Sequence, residues 1–359
     1  MQATQLFRRL TFIAVATVAI ASGSCTSSPE TTENTEATPG ETTEELQVVT
    51  TFLPITQFTN AVVGDRAEVT QLLPANVNPH DYQAKPTDVQ AIAKADILVQ
   101  NGLEFELFIE DLIKNAENKD LAIIDSSEGI EPLASGDKEH DEHDEHEGHE
   151  HDEHDEHEGH DEHEGHEHDE HDEHDEHEGH KGHHHHGEFD PHIWLDPKRA
   201  IAQVENIRDG LIAVDPEGKE EYTSNAAAFI KQLQALDTEI TEQLKPYSGQ
   251  VFISFHDFAR YFAESYNLKP EFLVDIPEEN PSPKDVRRII ETVETENLNA
   301  LLAEPKTSKN AFDSIAKDLQ IEVSIFDPLE TGDINATEPE FYLKIMRKNA
   351  DNLAEAFSN

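Results

Sequence analysis

From Gln47 onward, short runs rich in Val, Ile, Leu and Phe alternate with longer stretches whose apolar residues recur every three or four positions. The short runs predict strands and the longer ones amphipathic helices. In the first half, Gln47–Leu53, Ala67–Leu73, Asp96–Gln100 and Leu121–Asp125 read as strands. Between them lie helices ending at Gly64 and spanning Pro86–Ala95, with Asp88 in its first turn, and Glu104–Ala116. Pro197–Val214 reads as a further helix. The second half repeats the pattern: strands Val251–Phe255, Glu271–Val274, Ala300–Ala303 and Glu322–Phe326, with helices Phe258–Tyr266, Pro283–Thr295, Ser308–Leu319 and about Glu338–Phe357. Strands alternating with helices of about 10–15 residues indicate βα units and parallel sheets.

Between the two blocks, Glu217–Leu244 has few helix breakers. Its apolar positions Ala228, Phe229, Leu233, Leu236, Ile240 and Leu244 mark one helix face. The expected fold is therefore α/β: two βα lobes with parallel sheets, joined by one long helix, with a ligand cleft beyond the carboxyl ends of the strands. The expected domains are an N-terminal lobe at 47–215, a linking helix at 216–246 and a C-terminal lobe at 247–359.

Two segments stand outside this pattern. At the start, Arg8 and Arg9 precede the apolar run Leu10–Ala21, and Ser22-Gly23-Ser24 follow. That run is too short to span roughly 30 Å of hydrocarbon as a helix, so 1–24 reads as a secretory signal. Cys25, the only cysteine, excludes an intramolecular disulfide. It follows Gly-Ser and precedes a Ser/Thr/Glu-rich stretch, and so resembles a bacterial lipidation site, although Ser22 stands where a Leu-like residue is usual. Residues 25–46 read as a flexible tether. No other stretch approaches spanning length. The expectation is an exported protein, in the periplasm or on the outer face of the cytoplasmic membrane, touching the membrane only through an anchor at Cys25.

The second exception is residues 137–187. An eleven-residue unit occurs at 139–149 and again at 150–160, and variants of it continue to His180. The tract has no apolar side chain, so it cannot bury a core and is expected to be a disordered insert in the first lobe. It also explains much of the charge. The chain carries 26 basic and 77 acidic residues, a net of −51, of which the tract supplies −22. So acidic a chain argues against nucleic acid and favours cationic partners. Imidazole and carboxylate recur through the tract, giving many interchangeable weak sites for zinc, nickel or copper.

Of 22 histidines the tract holds 19. His80, in Asn78-Pro79-His80-Asp81-Tyr82, follows the second predicted strand. His192 lies in Asp190-Pro191-His192-Ile193-Trp194-Leu195-Asp196-Pro197, where the tract rejoins the lobe. His256 ends a strand in Ser254-Phe255-His256-Asp257-Phe258. Imidazole is the commonest metal ligand, and three histidines with one more ligand make an ordinary zinc shell. Single histidines in turns are more often caps or surface residues. Three such residues, all at strand ends or Pro-flanked loops, point instead to a shared site.

With these segments in hand, the chain resembles the metal-binding receptors of ABC transporters of cluster A-I, most closely the zinc-uptake, ZnuA-like branch. Further matches are Pro86-Thr87-Asp88, Tyr261-Phe262, Glu279-Asn280-Pro281-Ser282-Pro283, Ala303-Glu304-Pro305 and Phe326-Asp327-Pro328-Leu329, in order from about Gln47 to the C-terminus. The resemblance implies His80, His192, His256 and Asp327 as metal ligands, with Asp327 alternating with water. It implies zinc over manganese, because manganese-binding relatives carry Glu at the position of His256, and softer imidazole suits zinc. Glu330 departs from the pattern, since Gly usually follows Asp-Pro-Leu; Gly332 could serve that turn instead.

The function this implies is capture of extracytoplasmic Zn²⁺, bound as cargo, by a monomeric receptor that delivers it to a membrane ABC permease. The linking helix would keep lobe closure small. A surface adhesin or zinc store is the alternative. A zinc hydrolase would need an open coordination position and a general base. Asp81, Asp196 and Asp257 are candidates for that base, but no His-Glu-x-x-His segment is present, so no enzyme activity is expected.

Overall fold

The computed structural model describes residues 46–135, 187–275, 280–298, 300–305, 309–333 and 335–358. The predicted signal, Cys25, most of the tether and all of the His-rich tract but Gly187 lie outside these residues. Among the described residues no helix is long and apolar enough to cross a membrane.

The first lobe opens with β1 (Gln47–Thr50) and α1 (Leu53–Val63), then β2 (Glu68–Gln71), α2 (Pro86–Lys94), β3 (Ile97–Gln100), α3 (Ile109–Ala116), β4 (Ala122–Asp125) and α4 (Pro197–Val214). Pro54 opens α1 and Gly64 ends it at φ +59, a left-handed conformation that glycine adopts without a Cβ penalty. The helix expected from Glu104 begins only at Ile109. Leu103 and Glu104 take positive φ, which breaks the helical path after β3. The four strands form one parallel sheet in the order β2-β1-β3-β4.

A 26-residue helix, α5 (Lys219–Leu244), follows. Its buried stripe, Tyr222, Ala226, Phe229, Leu233, Leu236, Ile240 and Leu244, has the three- and four-residue spacing of the sequence pattern. The second lobe comprises β5 (Val251–His256), α6 (Arg260–Ser265), β6 (Lys269–Val274), α7 (Pro283–Glu296), β7 (Ala300–Ala303), α8 (Lys309–Leu319), β8 (Glu322–Ile325) and α9 (Pro339–Ser358). Its sheet is also parallel and repeats the topology as β6-β5-β7-β8. Every residue of β5 is buried, as expected for a central strand covered on both faces. The order reverses between β1 and β3 and again between β5 and β7, and such switch points open a crevice at the carboxyl ends of the strands.

The lobes do not have independent cores. One apolar cluster runs from Val48 and Phe58 in the first lobe, through Leu233 and Leu236 of α5, to Phe258, Phe326 and Leu353. Among the described residues, only the far face of the second sheet, with Phe255, Leu301 and Phe312, packs separately. The helix α9 lies against both α5 and α1, so the chain's last element returns to the first lobe. Buried hydrogen bonds join the lobes as well: Trp194 Nε1 donates to Pro328 O (2.8 Å), Tyr342 Oη to Trp194 O (2.7 Å) and Gln57 Nε2 to Ala336 O (2.6 Å). A hinge motion large enough to part the lobes would break this shared core.

A shared core predicts that the lobes unfold together. Leu236→Ala, which truncates a fully buried side chain on α5, is expected to cost about 2–5 kcal/mol. Urea titrations followed by Trp194 fluorescence and by circular dichroism should show one coincident transition in the parent and in the variant.

Candidate metal centre

Three local structures present the three isolated histidines. His80 sits in a short 3-10 turn, Pro79–Asp81, whose preceding Asn78 accepts the His80 backbone N–H through Oδ1 (3.0 Å). The turn is fixed from below: Asp88 Oδ2, in the first turn of α2, accepts from Tyr82 Oη (2.5 Å) and Lys85 N (2.7 Å). His192 precedes a second 3-10 turn, Ile193–Leu195, whose side chains are all buried. His256 is the last residue of β5 and is fully buried.

The structure brings these three together with Glu330, which lies on the loop between β8 and α9. The candidate ligand atoms of all four residues lie within 4.8 Å of one another. Glu330 Oε1 stands 3.2 Å from His80 Nε2, 3.3 Å from His192 Nε2 and 3.6 Å from His256 Nε2. Bonds of about 2.0–2.1 Å around a tetrahedral zinc would separate neighbouring ligand atoms by roughly 3.4 Å. The Nε2 atoms of His192 and His256 are buried and make no hydrogen bond, which is costly for polar atoms unless something else partners them.

The opposite ring nitrogens are committed. His192 Nδ1 pairs with Asp190 Oδ1 (2.7 Å), and His256 Nδ1 pairs with Glu304 Oε1 (2.6 Å). Each carboxylate holds the proton on Nδ1 and leaves Nε2 facing the centre, the usual arrangement behind a metal-binding imidazole. Burial penalises the charged rings, but carboxylates outweigh it. Asp190 and Glu330 push His192 up to about 9, and Glu304 and Glu330 push His256 up to about 10. Burial also opposes ionisation of Glu330, yet the three imidazoles hold it well below the usual carboxylate range. The walls are aromatic: Phe105 stands edge-on to His80, and Trp194 and Phe258 contact His192. At 11% side-chain exposure against 0–4% for the other three, His80 marks the side open to solvent.

Asp327, expected as the fourth member of this set, stands outside the cluster. Its Oδ1 accepts the Leu329 backbone N–H (2.9 Å), while its own peptide N–H and carbonyl are both bonded by the Asn349 side chain (2.8 Å each). This local turn carries the chain through Leu329 at φ +64, so residue 330, not 327, faces the cleft. Glu330, which departs from the Gly usual after Asp-Pro-Leu, supplies the carboxylate. The signal in the sequence was that departure: a charged residue where a turn glycine is usual.

A two-lobed α/β body with a buried three-imidazole, one-carboxylate centre at the meeting of its lobes is the arrangement of a metal-binding receptor. The chain belongs to the ZnuA family, described as zinc-uptake complex component A, periplasmic, whose model matches residues 48–356. It is similar to the zinc-binding lipoprotein AdcA of Streptococcus pneumoniae, 30% identical over 85% of this chain and 54% of that one. It is also similar to the high-affinity zinc uptake system protein ZnuA of Bacillus subtilis, 28% identical over 87% of this chain and 88% of that one. The chain thus spans about half the length of the streptococcal relative and most of the Bacillus one. Among solved structures, the Zn(II)-bound ZnuA-like domain of S. pneumoniae AdcA superposes with a TM-score of 0.66 at 27% identity, covering 88% of this chain and all of that one. A crystal structure of ZnuA gives 0.66 at 26% identity over 87% and 99%.

The geometry separates the two carboxylates of the loop. Glu330→Gln is expected to lower divalent-metal affinity by at least about tenfold. Asp327→Asn keeps an oxygen for Leu329 N and is expected to change it by less than about threefold. Competition titration against a chromogenic chelator measures both.

Proposed function

We propose that this protein is an extracytoplasmic zinc receptor that binds one Zn²⁺ between its lobes and hands it to a membrane ABC permease. The observation that carries the reading is the convergence of His80, His192 and His256 on Glu330 Oε1 at 3.2–3.6 Å. All four residues act as ligands, with the zinc as cargo. Three nitrogens and one oxygen suit Zn²⁺ better than Mn²⁺, which prefers carboxylate and water. Four protein donors leave no open position for a reacting water, so the centre stores and releases rather than catalyses. The zinc-binding names of the relatives and the family to which the chain belongs support the same reading.

Export rests on the signal-like residues 1–24. Retention at the outer face of the membrane by lipidation of Cys25 completes the proposal, with the receptor acting as a monomer. The tract at 137–187 gathers zinc weakly, in addition to the one tight site. Metal analysis and calorimetry on the full chain and on a chain lacking 137–187 test this: one tight zinc per chain should survive the deletion, and the weak sites should vanish. Loss of the tight zinc on deletion would sink the proposal.

The raised histidines add a pH signature. Metal-free, His192 and His256 hold protons up to about 9 and about 10, so zinc must displace them at pH 7. Apparent affinity therefore rises with pH until those values are passed and falls as pH drops. Calorimetry at pH 7 in buffers of different ionisation enthalpy is expected to show about two protons released per tightly bound zinc. Release of none would mean that the imidazoles are neutral before zinc arrives.

A further inference from the structure

Beneath the metal centre, two chain segments leave the first lobe side by side. Residues 131–135 and 187–190 run antiparallel, with Ala134 paired to Phe189. Ser135 N donates to Glu188 O (3.1 Å), Ser135 Oγ to Gly187 O (2.8 Å) and Asp190 N to Leu133 O (2.9 Å). The innermost rung, Leu133 with Asp190, is closed from the other lobe. Tyr261 of α6 donates its hydroxyl to Asp190 O (2.6 Å) and accepts from Leu133 N (3.0 Å), so one oxygen joins both segments.

The ring behind that hydroxyl is fixed. Tyr261 is fully buried, and the Arg199 guanidinium lies 4.5 Å from its ring centroid. Arg199, on α4, in turn bonds Asp196 (2.9 Å) and Glu264 of α6 (2.6 Å). Asp190 connects this assembly to the centre, because its Oδ1 accepts from both His192 N (2.9 Å) and His192 Nδ1 (2.7 Å). Its other oxygen, Oδ2, is buried without a hydrogen bond, so the carboxylate is held from one side only.

We propose that Tyr261 is a positioning residue for the metal. Its hydroxyl, reaching from the second lobe, fixes the Asp190 backbone, and through the Asp190 carboxylate it fixes the direction in which His192 presents Nε2. Tyr261 touches neither the four-residue cluster nor the zinc it would hold. It acts on how long the metal stays. Without the hydroxyl, Leu133 N and Asp190 O lose a shared partner, the rung loosens, and the imidazole gains angular freedom that raises the dissociation rate. Partners bonded directly to a ligating imidazole, as Asp190 is to His192, change metal affinity by about 10–100-fold, and Tyr261, one bond further out, is expected at the lower end of that range.

The inference rests on the zinc reading of the centre, and one experiment keeps the two apart. The full chain is loaded with zinc and chased with excess chelator, and the slow release phase is followed. If the parent shows no slow phase, the zinc reading fails. If the parent is slow and Tyr261→Phe is equally slow, the zinc reading stands and this inference is overturned. The expected result is release about tenfold faster in Tyr261→Phe, which keeps the ring under Arg199. Tyr266→Phe is the control: it removes another buried tyrosine hydroxyl, bonded to Asp237 (3.2 Å), and should stay within about twofold of the parent. A double-mutant cycle then separates positioning from general destabilisation. If Tyr261 acts through Asp190, Asp190→Ala with Tyr261→Phe releases zinc no faster than Asp190→Ala alone; additive effects would overturn the route. Should Tyr261→Phe not fold, Arg199→Lys loosens the same ring while keeping the hydroxyl. It is expected to speed release in the same direction, and an unchanged rate would count against the proposal.

Discussion

Everything in the centre follows from gathering three imidazole nitrogens about one buried carboxylate oxygen. Burying a polar atom without a partner costs free energy, and here two ring nitrogens are buried that way within 4 Å of one carboxylate oxygen. The protein can hold this arrangement because each ring is committed on its far side to a second carboxylate, Asp190 or Glu304. Those carboxylates are themselves placed by the fold. Asp190 is tied to the strand-like pair at the edge of the first lobe, and Glu304 follows β7 at the switch point of the second sheet. The two lobes thus contribute more than a cleft: each brings a histidine already matched to its orienting acid.

The same constraint explains the core that the lobes share. A site whose donors come from two lobes keeps its geometry only if the lobes keep theirs. The shared apolar cluster, α5 and α9 supply that. The loop carrying Glu330 is also pinned to the first lobe, where Gly332 N donates to Ala75 O (2.6 Å) and Trp194 reaches Pro328. On the zinc reading proposed above, this shared core assigns metal release to small movements of loops and side chains rather than to lobe separation.

Much of this was legible in the chain. Strand and helix alternation gave two βα halves because period-two and period-3.6 patterns are strong in buried strands such as Val251–His256 and in long helices such as Lys219–Leu244. The three histidines stood out because nothing else outside the tract carried imidazole. The fourth donor was not legible in the same way. Asp327 and Glu330 are three residues apart, and which one faces the cleft depends on Leu329 adopting a left-handed backbone, supported by Asn349 from a distant helix. No local propensity announces that conformation at a leucine. The late start of α3 has the same origin, since positive φ at Leu103 and Glu104 was invisible in an otherwise helix-compatible stretch.

The order of the donors along the chain gives assembly a direction. His80, His192 and His256 arrive first, but Glu330 comes after β8, and the helix that completes the common core, α9, ends only at Ser358. A polypeptide made from its N-terminus therefore delivers three imidazoles before their carboxylate and before the packing that aligns them. Among the described residues, the four-residue cluster stands in a body whose common core includes α9 packed on α1 and α5. On the zinc reading proposed above, that ordering makes completion of the fold the step that sets the buried centre apart from the many imidazoles of the tract.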